Sequence, residues 1–237
     1  MAKSKKTVSK RQNYDDVWKN SSIDGHFKAD IPQKMLELFK QEKVQTVLDL
    51  GAGDGTIAVA LAKQGKTVYA LEISNEGIEK TKAQAQEAQV SVHVLEQDMY
   101  QALPFEDRSL DAVIAFQSLN HNTLPKIEKL FAEITRILKH GGLFIVKAAN
   151  FNSFDLKDLG DGLYEDSHGG ISCTLRFSDK QTYVPQDGPE KGLTHYAFLP
   201  EQLTEKIEAL EYTQIYAEIL QWHILAMFKK NEPNIHI

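Results

Sequence analysis

Val47-Leu48-Asp49-Leu50-Gly51-Ala52-Gly53-Asp54-Gly55 runs an apolar strand into three glycines at alternate positions, and Thr56 then opens a helix. Glycine has no Cβ and accepts positive φ, so the chain can turn sharply and let a ligand lie against its backbone. Further along, Glu72 closes a second apolar run, Thr67-Val68-Tyr69-Ala70-Leu71-Glu72. A carboxylate at that place suits two vicinal ribose hydroxyls, each charge-assisted bond being worth roughly 1.5–3 kcal/mol. Loop and acid together predict a nucleoside pocket at the carboxyl ends of parallel strands.

The glycine spacing narrows the nucleoside. A dinucleotide fingerprint, G-x-G-x-x-G, would need glycine at position 56, where Thr56 stands; the third glycine comes one residue early, at Gly55. Asp49 and Asp54 add negative charge that would repel a pyrophosphate but not a cationic sulfonium carrying an amino group. The competing reading is a plain strand-to-helix turn that uses glycine only for packing. Glu72 and the segments below weigh against it.

Working outward, strands and helices alternate. Strand Thr46–Leu50 precedes helix Thr56–Lys63, and strand Thr67–Glu72 precedes helix Asn75–Glu87. Strand Ser91–Glu96 and the buried-type run Leu110–Phe116 follow. Next come helix Leu124–Lys139, ended by Gly141-Gly142, and strand Leu143–Lys147. This order predicts an α/β fold, a doubly wound and mostly parallel sheet covered on both faces. Upstream, residues 1–12 read as a disordered basic tail and Tyr14–Phe27 as a short helix and loop. Asp30 can cap a helix with Pro32 in its first turn and Met35, Leu36, Leu38 and Phe39 on its apolar stripe. Downstream, residues 151–192 are rich in Gly, Asp, Ser and Pro, with β-like pieces Cys173–Phe177 and Gln181–Val184, and Thr194–Phe198 is a further candidate strand. An insertion of this size reads as a small β-rich cap or lid spanning residues 151–198. Helix Pro200–Leu210 and an antiparallel pair, Tyr212–Leu220 with Ile224–Phe228, complete a seven-stranded sheet.

Bulk properties exclude several classes. The 237 residues are 42% hydrophobic and 25% charged, ordinary for a soluble globular protein. No apolar run is long enough to span a membrane, and the first residues lack the apolar core of a secretory signal. The single cysteine, Cys173, forms no internal disulfide, which fits a cytoplasmic location. It has no Cys or His at ligand spacing, so no metal site is expected. The formal net charge is −6, although residues 1–11 contribute five basic and no acidic side chains. An acidic body disfavours nucleic acid, and the basic tail reads as solvated. Nothing here fixes the oligomeric state.

Five segments in order resemble class I S-adenosylmethionine-dependent methyltransferases of the small-molecule type. Asp49 to Gly55 resembles the D-x-G-x-G-x-G motif, Glu72 the ribose acid, and Gln97-Asp98-Met99 the segment ending the third strand. Asp111 to His121 resembles the fourth-strand motif D-x-V-x-s-x-x-x-L-x-H. Arg136-Ile137-Leu138-Lys139-His140-Gly141-Gly142 resembles the R-x-L-K-P-G-G turn, with His140 in place of Pro. Thr194 to Leu203 is more loosely similar, and residues 151–192 have no counterpart. The resemblance implies a Rossmann-like methyltransferase domain over residues 13–237 with S-adenosyl-L-methionine as cofactor. It implies cofactor contacts from Tyr14, Asp49, Gly51, Ala52, Gly53, Glu72, Ile73, Asp98, Met99 and Phe116, with Asp98 on the adenine amino group. Trp18 reads instead as a hydrophobic anchor.

Methyl transfer from a sulfonium is an in-line displacement, so the protein must hold donor carbon and nucleophile close and collinear in a dry pocket. A hydroxyl acceptor benefits from a general base, and His121, just past the fourth strand, is the candidate. Asn120, His121 and Tyr196 are the candidate acceptor contacts, and His168, Tyr183 and His195 could line the same cleft. Asp54 can cap the following helix, and Asp111 reads as structural. The expected function is methylation of a small-molecule N or O acceptor. The alternatives are a nucleic-acid or protein methyltransferase, which the acidic body and the absence of an N-P-P-Y-type motif at Ser118-Leu119-Asn120-His121 disfavour, and a non-catalytic binding module.

Overall fold

Apolar runs bounded by glycine and polar turns form β1 (Thr46–Leu50), β2 (Thr67–Glu72), β3 (His93–Glu96), β4 (Leu110–Phe116) and β5 (Leu138–Ala149). β11 (Tyr212–Ile219) and β12 (His223–Lys230) are the two strands nearest the C-terminus. The chain is known from a computed structural model, which describes residues 10–20, 31–167 and 172–233. The seven strands are ordered β11-β12-β5-β4-β1-β2-β3, and only β12 runs against its neighbours. β1 pairs in parallel with both β2 and β4, so the strand order reverses there. Ligands on open α/β sheets bind at that reversal, beyond the strands' carboxyl ends.

Side-chain alternation along the strands makes two cores. Leu48, Leu50, Val113, Ala115, Phe144 and Val146 pack with the apolar faces of α5 (Leu124–Ile137) and α6 (Pro200–Glu208). Val47, Ala112, Ile114 and Ile145 pack on the opposite face with α2 (Gln33–Gln41) and α3 (Thr56–Lys63). α4 (Asn75–Glu87) is capped by Ser74, whose hydroxyl accepts from Gly77 N at 3.2 Å.

Three expectations change. The fifth helix ends at Ile137, not Lys139, and Gly141-Gly142 lie inside β5. They form a bulge: β5 pairs Leu138 with Leu110, then Leu143 with Ala112. Gly141 has φ +71°, and a Cβ on Gly142 would come within 2.8 Å of Lys139 O. Second, residues 10–12, expected in the basic tail, belong to α1 (Lys10–Asn20); residues 1–9 lie outside the described residues. Third, Pro32 occupies the N-cap position of α2, and Asp30 lies outside the described residues.

The insertion is a second, antiparallel sheet, the small β-rich element expected there. β6 (Leu156–Gly160), β7 (Leu163–Asp166), β8 (Cys173–Phe177), β9 (Thr182–Pro185) and β10 (His195–Tyr196) are ordered β10-β9-β8-β7-β6. Leu175, Tyr183 and Ala197 form its own small core with Phe151, Phe154 and Phe177. It is tied to the main sheet by Tyr196 N donating to Asn120 O at 2.8 Å and by a bridge between Asn150 and Phe198.

Candidate active site

A cleft of about 980 Å³, its open mouth included, lies beyond the carboxyl ends of β1, β2 and β4, beneath α1. The glycine loop forms its floor. Gly51 has φ +71°, and a Cβ there would fall 2.5 Å from Ser118 Cβ. Gly53 has φ +58°, and its Cβ would fall 2.3 Å from the Trp18 ring. The loop is thus pressed between the end of β4 and α1, and only glycine fits. Ser118 Oγ donates to Leu50 O at 2.5 Å, joining the ends of the two central strands.

Glu72 holds this loop. Its carboxylate accepts from Gly53 N at 2.9 Å, Ile73 N at 2.7 Å and Ser74 N at 2.8 Å. A carboxylate offers about four acceptor sites, so one remains for a ligand. Burial raises the Glu72 pKa, and the three backbone donors work against that rise. Asp49 is only 3% exposed and lies on the cleft wall, with Oδ2 making no hydrogen bond. Burial, then the nearby Glu72 and Asp54 charges, push its pKa to about 7. An unsatisfied buried carboxylate oxygen is costly unless a donor or cation arrives. Asp54 bonds Thr56 N and Oγ1 at 3.0 and 2.8 Å, fastening the start of α3 as expected.

α1 closes the cleft from above. Asp15 anchors it by accepting from Ser74 Oγ at 2.7 Å, and Lys80 Nζ donates to Trp18 O. Tyr14 and Trp18 both face the cleft. Tyr14 lies edge-on to His121, ring centroids 5.6 Å apart. Its hydroxyl pKa is raised by burial and by Glu190, Glu72 and Asp98. At the far end Asp98 accepts from Tyr100 N at 3.1 Å.

All ten residues expected at the cofactor line this one cleft, and so does His121. The lining carries five carboxylates, from Asp49, Asp54, Glu72, Asp98 and Glu190, and no Lys or Arg among the described residues. Asp111 lies away from it, accepting from Gln45 N, Thr46 N and Lys139 Nζ, and its pKa falls to about 2. Burial would raise that pKa, but the Lys139 and backbone bonds outweigh it.

The acceptor-side expectations divide. Gln117 adopts φ +55°, which aims its carbonyl at His121 Nε2, 2.9 Å away. Tyr196 does not line the cleft: its ring packs in the main core, and its hydroxyl bonds Gln181 Oε1 and Gln202 Nε2. Successive strand residues face opposite ways, so on β10 it is His195 that turns toward His121, ring centroids 4.6 Å apart. Asn120 is buried behind the cleft wall, with its backbone carbonyl committed to β10. Tyr183 stacks on His195, centroids 5.2 Å apart, and packs in the insertion's core. His168 lies outside the described residues. Glu190 was not anticipated. It stands 3.1 Å from His195 Nε2 and 4.0 Å from His121 Nε2. Burial pushes its pKa up, but His195, by charge and hydrogen bond, and then His121 pull it down to about 2.

Residues 47–142 match the family model of a methyltransferase domain. This stretch of the chain is similar to S-adenosylmethionine-dependent methyltransferases. S-adenosylmethionine is the cofactor of that family. A putative methyltransferase of Geobacillus sp. (strain WCH70) is 31% identical over 115 residues, 48% of this chain and 46% of that protein. The ubiquinone biosynthesis O-methyltransferase of Klebsiella pneumoniae is 26% identical over 45% of this chain and 43% of its own length. The chain thus spans about half the length of the curated relatives it matches. A crystal structure of an S-adenosylmethionine-dependent methyltransferase from Clostridium acetobutylicum has the same fold, with TM-score 0.63, 15% identity and coverage of 94% and 93%. The Burkholderia thailandensis 1,6-didemethyltoxoflavin-N1-methyltransferase, solved with its substrate and S-adenosylhomocysteine, gives TM-score 0.58 at 17% identity, covering 83% of this chain and 76% of that one. No helix among the described residues is long and apolar enough to cross a membrane.

Proposed function

We propose that this methyltransferase binds S-adenosylmethionine in the cleft under α1 and transfers its methyl group to the N or O atom of a small molecule. The observation that carries this reading is the charge of the lining, five carboxylates and no Lys or Arg among the described residues. A pyrophosphate would meet repulsion there, and a sulfonium with an α-amino group would meet attraction. Glu72 takes the ribose hydroxyls, one through its remaining acceptor site and one by exchange with a backbone donor. Asp98 and Met99 receive the adenine, Asp49 and the glycine loop the amino end, with Ala52, Ile73 and Phe116 as apolar walls. Tyr14 covers the donor next to His121.

The acceptor enters on the side of His121, and His121 accepts its proton when the nucleophile is a hydroxyl. The insertion at residues 151–198 acts as the cap that selects the acceptor, since it supplies Glu190 and His195 to this side of the cleft. The cleft is roofed by α1, which suits a small acceptor better than a polymer. A cytoplasmic location is part of the reading, supported by the one free cysteine. Calorimetric titration with S-adenosylhomocysteine and with NAD tests the donor assignment. Micromolar or tighter binding of the former and far weaker binding of NAD is expected; tight NAD binding with no response to S-adenosylhomocysteine would refute it.

A further inference from the structure

We propose that His121, Glu190 and His195 form a divalent metal site at the acceptor end of the cleft. One ligand atom from each, two imidazole nitrogens and a carboxylate oxygen, lie within 4.8 Å of one another. His121 follows β4, Glu190 sits in the loop after β9, and His195 opens β10. The fold therefore gathers them from separate elements, the main sheet and the insertion.

His195 carries the argument furthest. Its Nδ1 is 3.0 Å from Leu193 O. A carbonyl only accepts, so Nδ1 bears a proton, and in the neutral ring Nε2 keeps its lone pair. That fixing of one ring nitrogen by a backbone carbonyl is how metal-binding histidines are oriented. Nε2 then faces Glu190 Oε2 at 3.1 Å. At that distance the ring is either charged and donating to the carboxylate, or neutral with another cation between the two atoms. A proton would serve this pair alone, but the other carboxylate oxygen, Oε1, turns to a second imidazole, His121 Nε2, at 4.0 Å. A metal serves all three.

Metal–ligand bonds of about 2.0–2.2 Å hold tetrahedral ligand atoms about 3.3–3.5 Å apart, so closing the present triangle takes small side-chain shifts. By the same rule His121 Nε2 donates to Gln117 O at 2.9 Å, so binding a metal moves that proton to Nδ1 and breaks this bond. Two imidazoles and one carboxylate suit Zn²⁺, Fe²⁺ or Mn²⁺ and not Mg²⁺ or Ca²⁺, which prefer oxygen alone. Three protein ligands leave coordination positions open. His121 and Glu190 line the cleft, so those positions face the acceptor. An acceptor hydroxyl bound there would lose its proton to solvent more readily, and the metal would replace His121 as the activating group; that consequence, unlike the metal site itself, rests on the methyl-transfer reading.

The test titrates the full chain, stripped with a chelator, with Zn²⁺ alone by calorimetry and with Co²⁺ alone by visible absorption. One Zn²⁺ per chain is expected, weakened more than about 100-fold by Glu190→Gln and by His195→Gln, since outer-sphere partners alone are worth 10–100-fold. S-adenosylhomocysteine binding by each variant reports that it is folded. Co²⁺ should give the intense absorption of a low-coordinate site in the unaltered chain, a readout that needs no variant to fold. Absence of saturable one-to-one Zn²⁺ binding, wild-type affinity in both variants, or a Co²⁺ spectrum unchanged from the aqueous ion would each overturn the site. Loss of S-adenosylhomocysteine binding with Zn²⁺ binding intact would strike the donor-site reading and leave the metal site standing.

Discussion

The donor side of the cleft and the insertion that borders it are held together by different physics. On the donor side, residues 49–118 close a tight loop around Glu72, and Leu48, Leu50, Leu71 and Val113 beneath it are fully buried. The insertion rests on a few aromatic rings around Leu175 and Tyr183 and on a short seam to Asn120 and Phe198. Its strands β6 and β7 are largely exposed or half-exposed. Local stability follows buried apolar contact, so the insertion can open while the donor side stays folded. Under the proposed function, that contrast lets acceptors enter and leave without release of the cofactor.

The largest test of that contrast is Leu175→Ala. Leu175 is 2% exposed, and such truncations cost about 2–5 kcal/mol. The loss should fall on the insertion: hydrogen exchange should accelerate in β6 to β9 and not in β1, β2 or β4, and S-adenosylhomocysteine affinity should hold. Uniform acceleration over both sheets would show one cooperative unit.

Glu72→Ala attacks the other side. It removes the latch on Gly53, Ile73 and Ser74 and, with it, the proposed ribose acceptor, and should cost about 2–4 kcal/mol of cofactor affinity. An unchanged dissociation constant in a folded variant would remove Glu72 from the ribose.

The smallest effect is electrostatic. Asp49 has its pKa raised from 3.8 to about 7, so folding favours its protonated form, and the stability of the cofactor-free protein falls as pH rises between those values. A sulfonium favours the ionised form. Binding of S-adenosylmethionine relative to its uncharged-sulfur product should therefore strengthen about tenfold as pH rises through about 7, the scale of one pKa unit, and level off above. Asp49→Asn should flatten that ratio and raise the thermal midpoint of the cofactor-free protein above about pH 7. A ratio that keeps its pH dependence in the variant would place the titrating group elsewhere.

The same contrast decides what the sequence reveals. β1, α3, β2, α4 and β4 begin and end where apolar periodicity and glycines put them, because each is specified by its own residues. The residues expected at the cofactor are equally legible as the lining of one cleft, since most of them cluster at consecutive strand ends. The insertion is legible only as an insertion. Leu156-Lys157-Asp158-Leu159-Gly160 has too little buried surface to alternate clearly, so β6 leaves no mark. Gly141-Gly142 read as a helix end because a bulge and a C-cap ask for the same residue. Tyr196 reads as an acceptor contact beside His195 because strand phase cannot be fixed across a two-residue strand. Glu190 carries no local signal at all, as its partners His121 and His195 meet it only through the joining of two sheets.

The central claim is that the acidic cleft under α1 is the donor site, and a crystal structure with S-adenosylhomocysteine tests it most directly. The account predicts the ribose on Glu72, the adenine between Asp98 and Phe116, the amino end at Asp49, and the sulfur directed toward Tyr14 and His121. The product bound outside this cleft, or with its ribose away from Glu72, would contradict it.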